Sequence, residues 1–125
     1  MYRKTRVASG DFNILSVPEL EGVASAASTE TYAALYRVAG YTGLRLGELR
    51  ALRWRDIDFV NATVHVRRNL PVHATREKVP KGKRVRSVPL FDQAARAFDG
   101  LSRRGYLTRP DDLVFVEETG GYLDY

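Results

Sequence analysis

Arg45 stands between two leucines in the stretch YTGLRLGELRALRWRDID, Tyr41 to Asp58. A guanidinium beside apolar neighbours is costly to desolvate unless something anionic meets it. Two kinds of anion qualify: an internal carboxylate such as Asp56 or Asp58, or a phosphate brought in from outside. The planar guanidinium fork grips two phosphate oxygens at once and does not lose its proton, which suits it to the charge that builds on a phosphorus centre under attack. Glu48, three residues on, is near enough to orient such a site, and equally near enough for a surface ion pair with Arg45 or Arg55. A second candidate lies in the segment PKGK, where Lys81 sits in a turn between Pro80 and Gly82. Like-charge repulsion from Lys83, Arg84 and Arg86 favours release of its proton, as a general acid requires. Lys78 and Lys83 compete for the same role. Arg67, Arg68, Arg76, Lys78, Lys83, Arg84 and Arg86 suit contacts to a nucleic-acid backbone, whose strength falls steeply with salt.

The charge distribution supports a polyanionic partner. The 125-residue chain has a net charge of +5, yet residues 45–86 alone carry twelve basic side chains against four acidic ones. Residues 1–44 balance to zero and residues 87–125 carry a deficit of three. So concentrated a field points to a polyanion, nucleic acid first, rather than to a membrane, because no wide apolar helical face accompanies it. A stand-alone nucleic-acid-binding module without cleavage chemistry, or a basic face for an acidic protein partner, would share this charge pattern. With no cysteine and two histidines, His65 and His73, neither a disulfide framework nor a metal centre is expected, and no cofactor. Hydrophobic residues make up 44% and charged residues 28%, and no apolar run reaches the roughly 20 residues that span a bilayer. A cytoplasmic location is the expectation.

The elements that must position these residues can be read from periodicity. Residues 1–13 read as an extended lead-in and residues 14–125 as one unit. Ser16 and Glu19 have capping-box spacing, with Leu20, Val23, Ala24 and Ala27 on one helical face behind them. A second helix is expected from Glu30 to Gly40, and a third, short one from Gly47 to Trp54. ATVHVRR, TREKV and RVRSVPL are the expected strands, with Val64 and Val66 inward and His65 outward. A last helix carries Phe91, Ala94, Ala95, Phe98 and Leu101, with Gly105 as its stop. Trp54, Phe59, Tyr32 and Tyr36 are assigned to core faces, whereas Tyr122 and Leu123 read as surface for a partner. The fold class is α+β: about four helices against a small antiparallel three-stranded sheet.

The words TGLRLGELRALRWRDID, VHVRR, PKGKRVRSVPL, DDLVF and GGYLD together resemble the tyrosine recombinases of the phage-integrase family. The resemblance runs from about Ile14 to Leu123. It implies that Arg45 contacts the scissile phosphate, that Glu48 supports the site and that Lys81 is the general acid for the leaving 5′-oxygen. That family cleaves DNA by tyrosine attack, forms a 3′-phosphotyrosyl link and works as a tetramer without metal or nucleotide. Only the first half of its catalytic domain is matched. Its histidine-x-x-arginine word and its tyrosine nucleophile belong downstream of PKGKRVRSVPL, and neither His65 nor His73 stands in the required place. Tyr122 and Tyr125 precede the nucleophile's position. The expectation is therefore a partial recombinase domain that binds DNA backbone, is not catalytically competent by itself, and is monomeric or weakly self-associating.

Overall fold

The computed structural model describes residues 15–71, 73–79 and 85–123. The expected lead-in 1–13 and the residues Lys81, Lys83, Arg84 and Tyr125 fall outside that set. The first helix, α1 (Val17–Ser25), opens on the predicted device: the Glu19 backbone N–H donates to Ser16 Oγ, and the Ser16 N–H donates back to Glu19 Oε1 at 3.1 Å. Leu20 and Ala24 carry its buried face onto α2 (Glu30–Thr42), which buries Ala34, Leu35, Val38 and Ala39. Gly43 ends α2 at φ 74°, a left-handed conformation that an L side chain resists. The chain then turns into the short α3 (Leu46–Arg50), a 3₁₀ turn (Trp54–Asp56) and a three-stranded antiparallel sheet.

The sheet has the order β1 (Ile57–Asp58), β2 (Thr63–Val66), β3 (Arg86–Pro89). Val64 faces Ile57 on one side and Val88 on the other, while His65 pairs with Ser87 on the opposite face. The pattern in ATVHVRR thus forms as expected, with Val64 and Val66 buried. The strand membership does not. Among the described residues TREKV makes only an isolated bridge, Asn69 to Lys78, and Ile57–Asp58 supplies the third strand instead. The reason is that the single acid of TREKV, Glu77, turns inward to an ion pair that a regular ladder would not place there (below).

Helix α4 (Asp92–Ser102) buries Ala94, Phe98 and Leu101 against α2. Phe98 meets Phe115 at a ring-centroid distance of 6.2 Å, in the tilted geometry aromatic pairs favour. The core is continuous through Leu35, Val38, Leu49, Val64, Phe98, Val114 and Phe115. Residues 107–116 dock on the 3₁₀ turn: the Trp54 N–H donates to the Asp112 carbonyl, the Val114 N–H to the Leu52 carbonyl and Trp54 Nε1 to the Leu107 carbonyl. Arg104 fastens this seam by donating to the carbonyls of Tyr106, Leu107, Leu113 and Val114, its guanidinium 5.6 Å from the Trp54 ring centroid.

Three further expectations are corrected. Phe59 is 48% exposed, because it falls in the tight β1–β2 turn rather than on a core face. The third helix stops at Arg50, where Ala51 leaves helical geometry so that Leu52 and Arg53 can meet the docking segment. Leu123 is 1% exposed and Tyr122 is hydrogen-bonded, so both are absorbed by this chain rather than offered to a partner. Among the described residues no helix is long and apolar enough to cross a membrane.

Candidate phosphate-binding site

Arg45 sits at the N-cap of α3 with extended backbone, and its own N–H donates to Glu48 Oε1 at 3.0 Å. Its flanking leucines explain its orientation. Leu44 and Leu46 are both buried, each stabilising by about 2 kcal/mol, and they leave the intervening side chain no direction but outward. Gly47 permits the close approach of the next loop. A Cβ there would lie 2.0 Å from Asn69 Oδ1 and 3.0 Å from the Leu70 carbonyl oxygen, and the Leu70 N–H already donates to the Gly47 carbonyl at 2.8 Å.

The arginines around this cap are engaged from within. Arg50 is buried and donates to the carbonyls of Leu70, Pro71 and Leu123, at 3.1, 3.0 and 2.8 Å. Arg53 forms a bidentate pair with Glu77, at 2.9 and 3.0 Å, and the Tyr122 hydroxyl donates to the same carboxylate. Asp56, 1% exposed, accepts from Arg67 Nε at 3.1 Å, Arg68 Nη2 at 2.7 Å and the Arg53 backbone N–H at 3.0 Å. Asp58 is taken by Asn61. Arg86 lays its fork on Glu48, at 2.9 and 3.0 Å. Both carboxylates that could have neutralised Arg45 therefore serve other groups. Among the described residues, the Arg45 guanidinium has no carboxylate partner and is exposed, and the same holds for Arg76 and Lys78.

The electrostatics at Glu77 follow from this packing. Burial works to raise its carboxyl, but the hydrogen bonds from Arg53 and Tyr122 outweigh burial and hold it below the usual carboxylate range. Burial, with the bond to Glu77, raises the Tyr122 phenol in turn.

Of the residues singled out from sequence, the fold brings Arg45, Glu48 and Arg86 together. It sets Arg67 and Arg68 on Asp56 instead of leaving them to solvent, and it leaves Arg76 and Lys78 on the surface. Lys81, Lys83 and Arg84 lie outside the described residues. His65 and Arg68, like His73 and Arg76, stand three residues apart, but they occupy β2 and the loop after it, and the His65 ring nitrogen Nδ1 pairs with Ser87 Oγ at 3.0 Å. Among the described residues there is no group of three metal-ligating side chains. Sequence reading missed Arg50, Arg53, Asp56 and Glu77 as an organised network. One signal was present: Glu77 is the only acid between Asp58 and Asp92.

Residues 14–124 match the sequence profile of the Phage integrase family. Prophage integrase IntR of Escherichia coli strain K12 is 40% identical over 87 residues, which span 70% of this chain and 21% of that protein. The integrase of Shigella phage Sf6 is 31% identical over 81 residues, 64% of this chain and 18% of that protein. The chain therefore spans about a fifth of the length of these curated relatives. Among solved structures, the Tn1549 transposon integrase in complex with circular intermediate DNA superposes with a TM-score of 0.72 at 21% identity, covering 88% of this chain and 40% of that one. The XerA recombinase does so with a TM-score of 0.66 at 28% identity, covering 88% and 36%.

Proposed function

The chain belongs to the phage integrase family, and from that premise we propose that it is the part of a tyrosine-recombinase catalytic domain that grips a DNA phosphodiester. One observation carries the reading. Arg45 is presented outward with no carboxylate partner among the described residues, while Arg50, Arg53, Arg67, Arg68 and Arg86 around it are all engaged. An unneutralised guanidinium projecting from an anchored helix-cap backbone can bind two phosphoryl oxygens and stabilise charge developing on them. Glu48 holds the cap by accepting the Arg45 N–H. Lys81 delivers a proton to the departing 5′-oxygen, and Arg76, Lys78, Lys83 and Arg84 follow the neighbouring phosphates. Arg67, Arg68 and Arg86 contribute mainly by bracing the site, since their charge is already met by Asp56 and Glu48.

Cleavage in this family is covalent and needs a tyrosine nucleophile. In these 125 residues Tyr122 spends its hydroxyl on Glu77, and no histidine-x-x-arginine word follows the hairpin. The residues here bind and polarise a phosphodiester; they do not themselves form the phosphotyrosyl link.

Titration of duplex DNA at several salt concentrations tests the reading. Displacement of several phosphate counterions gives a log–log slope between about −3 and −5. A slope near zero, or no duplex binding at low salt, would remove the DNA reading and leave the basic face to some other partner.

A further inference from the structure

Lys78 is far from Arg45 in the chain, yet hydrogen bonds fix its backbone close to the same helix. Its N–H donates to the Asn69 carbonyl at 2.6 Å and its carbonyl accepts from the Asn69 N–H at 2.9 Å, so the two residues stand directly opposite in an antiparallel bridge. Residues paired in this way project their side chains to the same face. Asn69 shows which face that is: a Cβ on Gly47 would lie 2.0 Å from its Oδ1, so its carboxamide packs on α3. The Lys78 side chain therefore leaves the strand pair on the side of α3, next to a residue two places from Arg45. Arg68 and Glu77, each one residue earlier, fall on the opposite face, where Arg68 Nε lies 3.6 Å from Glu77 Oε1. Leu70 locks this geometry to α3. Its N–H donates to the Gly47 carbonyl at 2.8 Å, and its carbonyl accepts from Arg50 Nη1 at 3.1 Å. Both backbone groups of one fully buried residue are thus held by α3. Lys78 itself is exposed and has no carboxylate partner among the described residues.

We propose that Lys78 joins Arg45 in a single two-residue clamp on the DNA backbone, and that Asn69, Leu70 and Arg50 set the spacing of the two cations. The proposal rests on the reading of Arg45 as a phosphate-binding group. Its physical basis is preorganisation. Once Arg45 grips one phosphate, the neighbouring phosphate is delivered to Lys78 at high effective concentration, provided the two cations stand on one frame. Without that frame Lys78 is one charge among many on a basic surface. Arg50 is the frame's side-chain tie. Helix α3 has five residues, too few to hold its own orientation, and the buried Arg50 guanidinium fastens its far end to Leu70, Pro71 and Leu123. Arg76, two residues before Lys78, is also exposed, but among the described residues no hydrogen bond ties it to α3. Asn69 and Arg50 are thus positioning residues, acting through Lys78 and Arg45 rather than on the phosphate.

The test is a double-mutant cycle on the whole chain, with a DNA duplex as the probe at fixed low salt. Lys78→Met alone should weaken duplex binding about fivefold. In an Arg45→Ala background the same change should cost less than about twofold, a shortfall larger than independent sites show. Arg76→Met is the control, and its cost should be the same in both backgrounds. Arg50→Met and Gly47→Ala then loosen the frame from two sides, the second because its new Cβ meets Asn69 Oδ1 and the Leu70 carbonyl. In either, the cost of Lys78→Met should fall below about twofold although Arg45 is intact. Each cost is taken within one background, so changes in net charge and a general loss of stability cancel. Arg45, Arg76 and Lys78 are all exposed, so their cycle decides the clamp even if a frame variant fails to fold. A fivefold cost that persists without Arg45, or in the loosened frames, would overturn the clamp while leaving the phosphate reading intact. No cost of Lys78→Met in the unaltered chain, together with none for Arg45→Ala, would instead overturn the phosphate reading and the clamp with it.

Discussion

Arg45→Ala is expected to weaken duplex binding about thirtyfold, a loss of roughly 2 kcal/mol, at low salt. The magnitude is that of a bidentate contact to a phosphate made from an anchored backbone position. The Arg45 backbone is anchored because Leu44 and Leu46 are buried on either side and its N–H is fixed by Glu48. Arg45→Lys keeps the charge and loses the fork, so it should recover only part of the affinity. The comparison that gives the number meaning is Arg103→Ala. Arg103 is exposed and, among the described residues, paired with Asp99 along one helix, a contact worth little, and its removal should change affinity less than about twofold. Equal losses at Arg45 and Arg103 would mean that a diffuse positive field, not a site, binds the duplex.

Asp56→Ala is expected to destabilise the fold by about 3 kcal/mol in a urea or thermal melt. Asp56 is buried and accepts three bonds, from Arg67, Arg68 and the Arg53 N–H. Its removal leaves the Arg68 side chain, only 20% exposed, without its closest partner, and unties the 3₁₀ turn from the exit of β2. Arg67 is 41% exposed and can turn to water, which keeps the cost at the lower end for a broken buried pair. The matched surface change, Asp99→Ala, should stay within about 0.5 kcal/mol. A loss below about 1 kcal/mol at Asp56 would show that the network is ornamental to stability and that the β2 exit is held by its backbone bonds alone.

Much of the fold was legible because local signals agreed with the tertiary outcome. Ser16 and Glu19 announce α1, and the alternation of Val64, His65 and Val66 places β2 with the correct face inward. The failures share one physical cause. TREKV looks like a strand by composition, but the inward pull of Arg53 on Glu77 decides its path, and that partner lies 24 residues away. Ile57–Asp58 is too short to announce itself and becomes a strand only because β2 pairs with it. At the site, the types and spacing of Arg45 and Glu48 were readable, since both are set by one short helix cap. Which arginines are free was not readable. Arg50, Arg53, Arg67 and Arg68 look alike in a basic stretch, and only the fold shows that carbonyls, Glu77 and Asp56 have taken them.

The claim that Arg45 faces a DNA phosphate is tested most directly by arginine-selective dicarbonyl footprinting read by mass spectrometry, with and without duplex. In the free chain Arg45 should be modified readily, whereas Arg50 and Arg53, bound from within, should react slowly. Added duplex should protect Arg45 and leave Arg50 and Arg53 unchanged. Modification of Arg45 at the same rate with duplex bound would contradict the account.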